Sequence, residues 1–395
     1  MIEFRNIVKD FGKHRVLDHI SLIINDGDLV AVIGESGCGK TTLLKMANLL
    51  VKPTSGKILV DGVDITDKSV DIIEMRRSMG YVVQSTGLFP HMTVKQNIEL
   101  IPKIKNVDKE EVSKRVIEYM NMVGLDTKTY LDRYPTELSG GQQQRIGVAR
   151  AYAIHPKIIL MDEPFSALDP MTRSDLQDEL NNIQADFHKT IMFVTHDMDE
   201  AIKIADKICI MNKGKILQYD TPENILKNPI DDYVANFVGK NRIWQSPEFI
   251  GVKDVMIDNP ITTNSKTTIM RGLEKMKKNA VDSLIIVDPN DKTKYVGFAH
   301  ARNCRKATDR TQPISTVLSE NYPTLSDDEK LINALNLINE SKNSTIPVVD
   351  SNNNLKGIVT RGSLLVAMST QYIEENIGID IEDSSDIIEI TEEKK

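Results

Sequence analysis

The stretch GESGCGKTT, residues 34–42, fits G-x-x-x-x-G-K-[ST] and stands between an apolar run, DLVAVI, and a helix-forming run, TTLLKMANLL. Nothing else narrows the possible folds as far, because this pattern needs a strand that stops at a glycine turn where a helix opens. Glycines let the backbone wrap so that successive N–H groups face a phosphate, while a lysine neutralises its charge and a hydroxyl ligates Mg²⁺. Here the parts are Gly34, Ser36, Gly37, Cys38 and Gly39 in the turn, then Lys40, Thr41 and Thr42, with Thr41 as the magnesium ligand.

The flanking pattern supplies the required context. Up to residue 239, short apolar runs (DLVAVIG, MGYVVQ, KIILMDEP, TIMFVTH) alternate with helical stretches. That alternation predicts an α/β domain whose parallel sheet is covered on both faces. Residues 88–150 lack such runs and read as a helical insertion. In TPENILKNP, Thr221 caps a helix with Pro222 at its first position, and Pro229 follows its end.

Several polar residues fall at predicted strand ends. In KIILMDEP, Asp162 can hold the magnesium shell, and Glu163, facing the other way, can accept a proton from an attacking water. His196 follows TIMFVT and can hydrogen-bond a terminal phosphate. It can equally be the residue before a helix cap, since Asp197 and Glu200 fit the capping box D-x-x-E. Gln84 offers an amide to magnesium or to the lytic water, or is an ordinary polar strand end. Phe11 can stack on adenine or be a core ring. Ser139 caps a helix opening with Gly140, Gly141 and Gln142, whose bare N–H groups can take a second phosphate. Spacing leaves open whether that turn closes on this chain's nucleotide or on another's.

At 395 residues the chain exceeds one ordinary core, and about 150 residues per domain implies two or three. After a linker at 240–250 holding the single tryptophan, Trp244, the chain repeats weakly. Val255 aligns with Val317, Leu273 with Leu335 and Asp288 with Asp350, each 62 residues apart. The copies span 251–308 and 311–372, and one alone is too small to bury its sheet comfortably. Residues 379–395 form an acidic stretch, read as a mobile tail.

A net charge of −8 argues against a nucleic-acid partner. Three dispersed cysteines, Cys38, Cys209 and Cys304, suit a reducing cytosol. The first residues show no cleavable leader, and no run approaches the roughly 20 apolar residues of a membrane span. Any membrane role therefore needs other chains.

GESGCGKTT, Gln84, LSGGQ, ILMDEP, SALD and His196 occur in the order and spacing of the ATP-binding cassette (ABC) family, which the chain resembles over residues 1–239. The resemblance implies a P-loop NTPase cassette that binds ATP with Mg²⁺ and pairs head to tail as a homodimer. Ser139 to Gln142 then act on the partner's ATP, and Ser166 to Asp169 lie at the contact. The repeats resemble two cystathionine-β-synthase (CBS) motifs. A cassette followed by such a pair is similar to the ATPase subunit of bacterial importers for glycine betaine, carnitine, choline and related quaternary amines. This implies a peripheral protein on the cytoplasmic face of the cell membrane, with transmembrane permease subunits and an extracytoplasmic substrate-binding protein as partners. An importer of another small solute, such as an amino acid, and a soluble non-transport cassette are the alternatives.

Two positions depart from nucleotide-binding CBS motifs: Ser363 stands where an acid often holds a ribose, and His300 replaces a threonine. The resemblance still suggests an inhibitory sensor. A two-fold ligand such as cyclic di-AMP would meet the phosphate-reaching Arg361, the hydroxyl of Thr360 and the apolar Ile358, although Arg361 can equally be a solvated residue at a helix entrance. The competing sensor is ionic, through the acidic tail.

Overall fold

The protein is described by a computed structural model over residues 1–85, 87–239, 242–319, 321–341 and 343–365, so the acidic stretch 379–395 lies outside the described residues. It divides into two compact units, Met1–Gly239 and Lys240–Lys395.

The first unit contains the expected parallel sheet. Its six strands run Lys215–Asp220, Lys207–Asn212, Leu29–Gly34, Thr190–Val194, Ile158–Asp162 and Gly80–Val82 in spatial order, and only the first pair is antiparallel. The three middle strands from Leu29, Thr190 and Ile158 are buried at every position, which is why they read as unbroken apolar runs.

A second sheet has no clear signature in the sequence pattern. Four antiparallel strands, His14–Ile24, Ile2–Phe11, Ser55–Val60 and Val63–Asp64, lie against the first sheet's helix. The helix Lys40–Ala47 sits between the sheets: its Leu43, Leu44, Met46 and Ala47 share one core with Ile2, Phe4 and Ile58 of the antiparallel sheet and Val30, Leu160 and Val194 of the parallel one. Each fully buried leucine stabilises this arrangement by about 1.5–3 kcal/mol. Between Gly80–Val82 and Ile158–Asp162 the chain is helical, with Val94–Ile104, Lys109–Met122, Thr127–Tyr130 and Gly140–Tyr152. Thr221 does cap the helix Pro222–Lys227, accepting from the Asn224 N–H. No helix among the described residues is long and apolar enough to cross a membrane.

The second unit holds two copies of one motif. Thr262–Asn264, Ser283–Val287 and Tyr295–His300 form a three-stranded sheet with the helix Ile269–Lys278, and Leu325–Ser326, Thr345–Val349 and Leu355–Thr360 repeat it with the helix Leu331–Ser341. In each, the first pair is parallel and the second antiparallel. The aligned aspartates each anchor a turn, with different spacing. Asp288 accepts the N–H groups of Asn290 and Asp291, and Asp350 those of Asn352 and Asn354.

The two copies exchange their leading segments. Ile250, Val252 and Val255 are buried with Leu325, Leu331, Val348 and Val359 of the second copy, where Val252 N–H donates to Glu329 and Leu331 N–H to Ile250. Ile314, with Val317 and Leu318, instead fills the core of Leu284, Ile286 and Ala299 in the first copy. Truncating Ile250 to alanine should therefore cost about 2–5 kcal/mol, and hydrogen exchange on the full chain should speed up at Ile346–Val348 of the second copy before Leu284–Ile286 of the first.

Candidate functional site

The turn after Leu29–Gly34 is shaped by positions that only glycine fills. A Cβ on Gly34 would stand 2.1 Å from the Met211 carbonyl oxygen, and Gly39, at φ +110°, would press one to 2.6 Å from Leu17. Gly39 is also the N-cap of Lys40–Ala47 and brings no side chain to it, so the helix's first N–H groups are left for a ligand. Lys40 is nearly buried and donates to the carbonyls of Gly34 (2.6 Å) and Glu35 (3.0 Å). Its ammonium is thus held over the turn where phosphate charge would lie.

Thr41 donates its hydroxyl to Asp162 at 2.9 Å, while Lys45 stands 3.9 Å from the other carboxylate oxygen. Burial pushes the Asp162 carboxyl above its ordinary range, and the Thr41 bond and Lys45 pull it back. A hydroxyl and a carboxylate in contact at the phosphate turn are hard oxygen donors that fit Mg²⁺.

Glu163 does not continue the strand's alternation. It takes a left-handed backbone, φ +47°, with its N–H bonded to the Val194 carbonyl. Its carboxylate accepts from Gln84 Nε2 at 2.9 Å and lies 3.9 Å from His196 Nδ1. Three residues far apart in sequence thus converge, and the amide bond leaves Gln84 Oε1 for a cation. Ser166 donates to the Glu163 carbonyl at 3.0 Å. His196 is 68% exposed, which suits contact with a ligand.

These groups line a cavity of about 430 Å³ together with Ser36, Gly37, Gly39, Lys40, Thr41 and Thr42. Val16 joins them unannounced, since nothing in its local sequence marks it. Gly34, Cys38 and Asp162 do not line it: Cys38 is buried in the core, and its N–H donates to the Glu35 carbonyl. Phe11 is not a core ring. It is 51% exposed, with the Lys9 ammonium 4.6 Å above its face, and does not line the cavity. The suggested capping box at Asp197 does not close, because Asp197 accepts from the Asp199 N–H while Glu200 turns inward to Thr195.

Ser139 to Gln142 lie outside that cavity. Ser139 caps Gly140–Tyr152 through the Gln142 N–H, and Gln142 Oε1 accepts the Ser139 N–H in return. Among the described residues nothing stands within 4 Å of where a Gly140 Cβ would be, so the helix end is open there, while a Gly141 Cβ would come to 3.2 Å from Leu168. A separate apolar groove of about 380 Å³ runs between this helical segment and the sheet edge, lined by Ile73, Met79, Tyr81, Phe89, Leu100 and Ile101 with arginines at its rim.

In the second unit, Ile358 pairs its backbone with Ile257, and Arg361 is exposed at a helix start. The Thr360 hydroxyl accepts the Ser363 N–H while the Ser363 hydroxyl returns to Thr360, so the serine replacing an acid works as a local cap. His300 packs edge-on to Phe298 and Tyr322, which stack 4.0 Å apart, and burial holds its imidazole below its ordinary pKa.

The ABC transporter family model matches residues 17–166, and the CBS domain model matches 252–309 and 314–370. The chain is 44% identical to the choline transport ATP-binding protein OpuBA of Bacillus subtilis (strain 168), covering 92% of this chain and 95% of that protein. It is 36% identical to the osmoprotectant import ATP-binding protein OsmV of Salmonella typhimurium, covering 91% and 94%. Among solved structures it resembles the dimeric ATP-binding cassette MJ0796 in a post-hydrolysis state bound to ADP and Pi, with a TM-score of 0.53 and 33% identity over 56% of this chain and 99% of that one.

Glu163→Gln should leave ATP bound while slowing its hydrolysis by roughly 10²–10⁴-fold, read as retained nucleotide in filter binding beside lost phosphate release. Lys40→Ala should weaken binding itself, because a charge-assisted contact goes.

Proposed function

Since this chain belongs to the ATP-binding cassette transporter family and carries a CBS pair behind its cassette, we propose that it is the ATP-hydrolysing subunit of an importer for quaternary ammonium osmoprotectants such as glycine betaine, carnitine or choline. The observation that carries the ATPase reading is the convergence of Gln84, Glu163 and His196 on the cavity that holds Lys40 and Thr41. The substrate class follows from relatives named for choline and osmoprotectant transport that match nearly the whole chain.

In this reading the N–H groups of Ser36, Gly37 and residues 39–42, with the Lys40 ammonium, hold the ATP phosphates, and Cys38 shapes the turn through its N–H bond to Glu35. Thr41 and Asp162, with Gln84, would hold Mg²⁺, which when bound screens phosphate charge and orients the terminal phosphoryl group. Glu163 takes the proton of the attacking water, Gln84 keeps its carboxylate in place, and His196 hydrogen-bonds the γ-phosphate where charge develops. Phe11 is left as the candidate adenine contact only if its ring turns toward the cavity mouth.

The protein works as a dimer with permease partners. The open helix end at Ser139, Gly140, Gly141 and Gln142 is outside its own chain's cavity, which supports its closing over the partner's ATP. The apolar groove at Ile73, Phe89 and Leu100 is the surface we assign to the permease, and the cytoplasmic face of the membrane is where it would meet it. We take 1–239 as the cassette with 88–150 as its helical subdomain, 240–250 as linker, 251–308 and 311–372 as the CBS domains, and 379–395 as a tail. An extracytoplasmic substrate-binding protein would deliver the solute. Cyclic di-AMP at Ile358, Thr360 and Arg361 is the regulatory ligand we favour. Arg361 would be its main contact, because the Thr360 hydroxyl already accepts within the turn.

Uptake of labelled betaine, carnitine and choline should fall to background in a deletion strain and return with the intact gene, whereas loss of amino-acid uptake alone would refute the substrate class. Mixing chains carrying Lys40→Ala with chains carrying Ser139→Arg should restore ATPase activity in the mixed dimers, because one of the two faces then has both intact halves.

A further inference from the structure

His196 is carried on a turn that is tied down on both sides. The preceding Thr195, 2% exposed, donates its hydroxyl to Glu200 Oε2 at 2.5 Å, and the Thr195 oxygen in turn accepts the Asp197 N–H at 3.0 Å. With one donor and one acceptor used, this hydroxyl is a pin across the histidine. Glu200 is itself buried, and burial pushes its pKa up while the Thr195 bond and Arg173 pull it down.

The charge that answers it comes from another helix. Arg173, in the first turn of Pro170–Phe187, places Nη1 3.6 Å from Glu200 and 3.5 Å from Asp197, and its Nη2 donates to the Leu168 carbonyl at 3.3 Å. One guanidinium therefore joins the turn that presents His196 to the loop at 163–169. That loop also holds Glu163 through Ser166. Arg173 Nε is buried without a partner among the described residues, so the fork is not fully used.

We propose that Glu200 and Arg173 are positioning residues for His196, setting the imidazole through the Thr195 hydroxyl and coupling it to the 163–169 loop through the Leu168 carbonyl. The inference rests on the assignment of His196 to the γ-phosphate. The network touches neither the phosphate turn nor Lys40, so its loss should spare nucleotide binding and damage the chemical step. A misplaced contact of about 1 Å costs up to a hundredfold in rate.

The test uses the full chain assembled with its permease. Thr195→Val keeps the shape and removes the pin, Thr195→Ser restores it, Glu200→Gln keeps an acceptor without the charge, and His196→Ala is the reference. Thr195→Val should lower kcat roughly tenfold or more with KM for ATP within about twofold, Thr195→Ser should recover most of it, and Glu200→Gln should fall between. In the His196→Ala background, Thr195→Val should cost less than about a further twofold, because coupled residues are not additive. Normal kcat in both Thr195→Val and Glu200→Gln, with His196→Ala impaired, overturns the positioning proposal alone. An equal loss in the His196→Ala background overturns it too, as a general structural effect. A His196→Ala protein with ordinary turnover overturns the γ-phosphate assignment and leaves nothing to position. Should Thr195→Val fail to fold by thermal unfolding, Glu200→Gln carries the same comparison.

Discussion

The helix Lys40–Ala47 is buried on two sides, and the geometry of the site depends on that confinement. Its apolar face packs against the antiparallel sheet through Ile2, Phe4 and Ile58, and against the parallel sheet through Val30, Leu160 and Val194. A helix held that way cannot slide or roll without opening a cavity in one layer or overpacking the other. Its N-terminus, and with it Lys40 and Thr41, is therefore presented at a fixed point. Two glycines then set the path of the loop that leads to it, because Gly34 lets the turn pass against Met211 and Gly39 lets it pass against Leu17. Asp162 meets Thr41 from the strand Ile158–Asp162, which lies one strand beyond the direct neighbour of Leu29–Gly34.

The rest of the site is assembled from strand ends rather than from one segment. Asp162 and Glu163 close one strand, His196 follows the next, and Gln84 follows the edge strand of the same sheet. Because these strands are parallel, their C-terminal ends share one edge, where the cavity opens. The left-handed turn at Glu163 is what brings its carboxylate between Gln84 and His196. The serine-glycine-glycine turn does not line this cavity; its Gly141 lies against Leu168 of the 163–169 loop while Gly140 faces open space, as a clamp meant for another surface would.

Much of this was legible in the sequence where the signal is local. The phosphate turn is a contiguous pattern, and the central strands announce themselves because burial on both faces leaves no room for polar residues. Signals spread over distance were not legible. The antiparallel sheet's alternation in HRVLDHISLII is diluted by bulged register, and Val16 reaches the cavity only because of where that sheet lies. D-x-x-E at Asp197 and Glu200 matches a cap by spacing, yet Glu200 finds a better partner in a buried hydroxyl. Phe11 could not be placed either way, since an exposed ring beside a lysine has no sequence signature. The alignment of Val255 with Val317 was visible, but not that each serves the other copy's core.

That exchange has a consequence for how the chain is made. Ile250 and Val252 leave the ribosome well before Leu331, Val348 and Val359, the residues they must be buried with. The first copy, for its part, lacks Ile314 until the second has begun to emerge. Neither copy can complete its core in order of synthesis, so both cores close late, each like a clasp whose second half comes from the other copy. Until then the apolar side chains of Ile250, Val252 and Val255 have no native cover, while the cassette ahead of them already has every strand it needs.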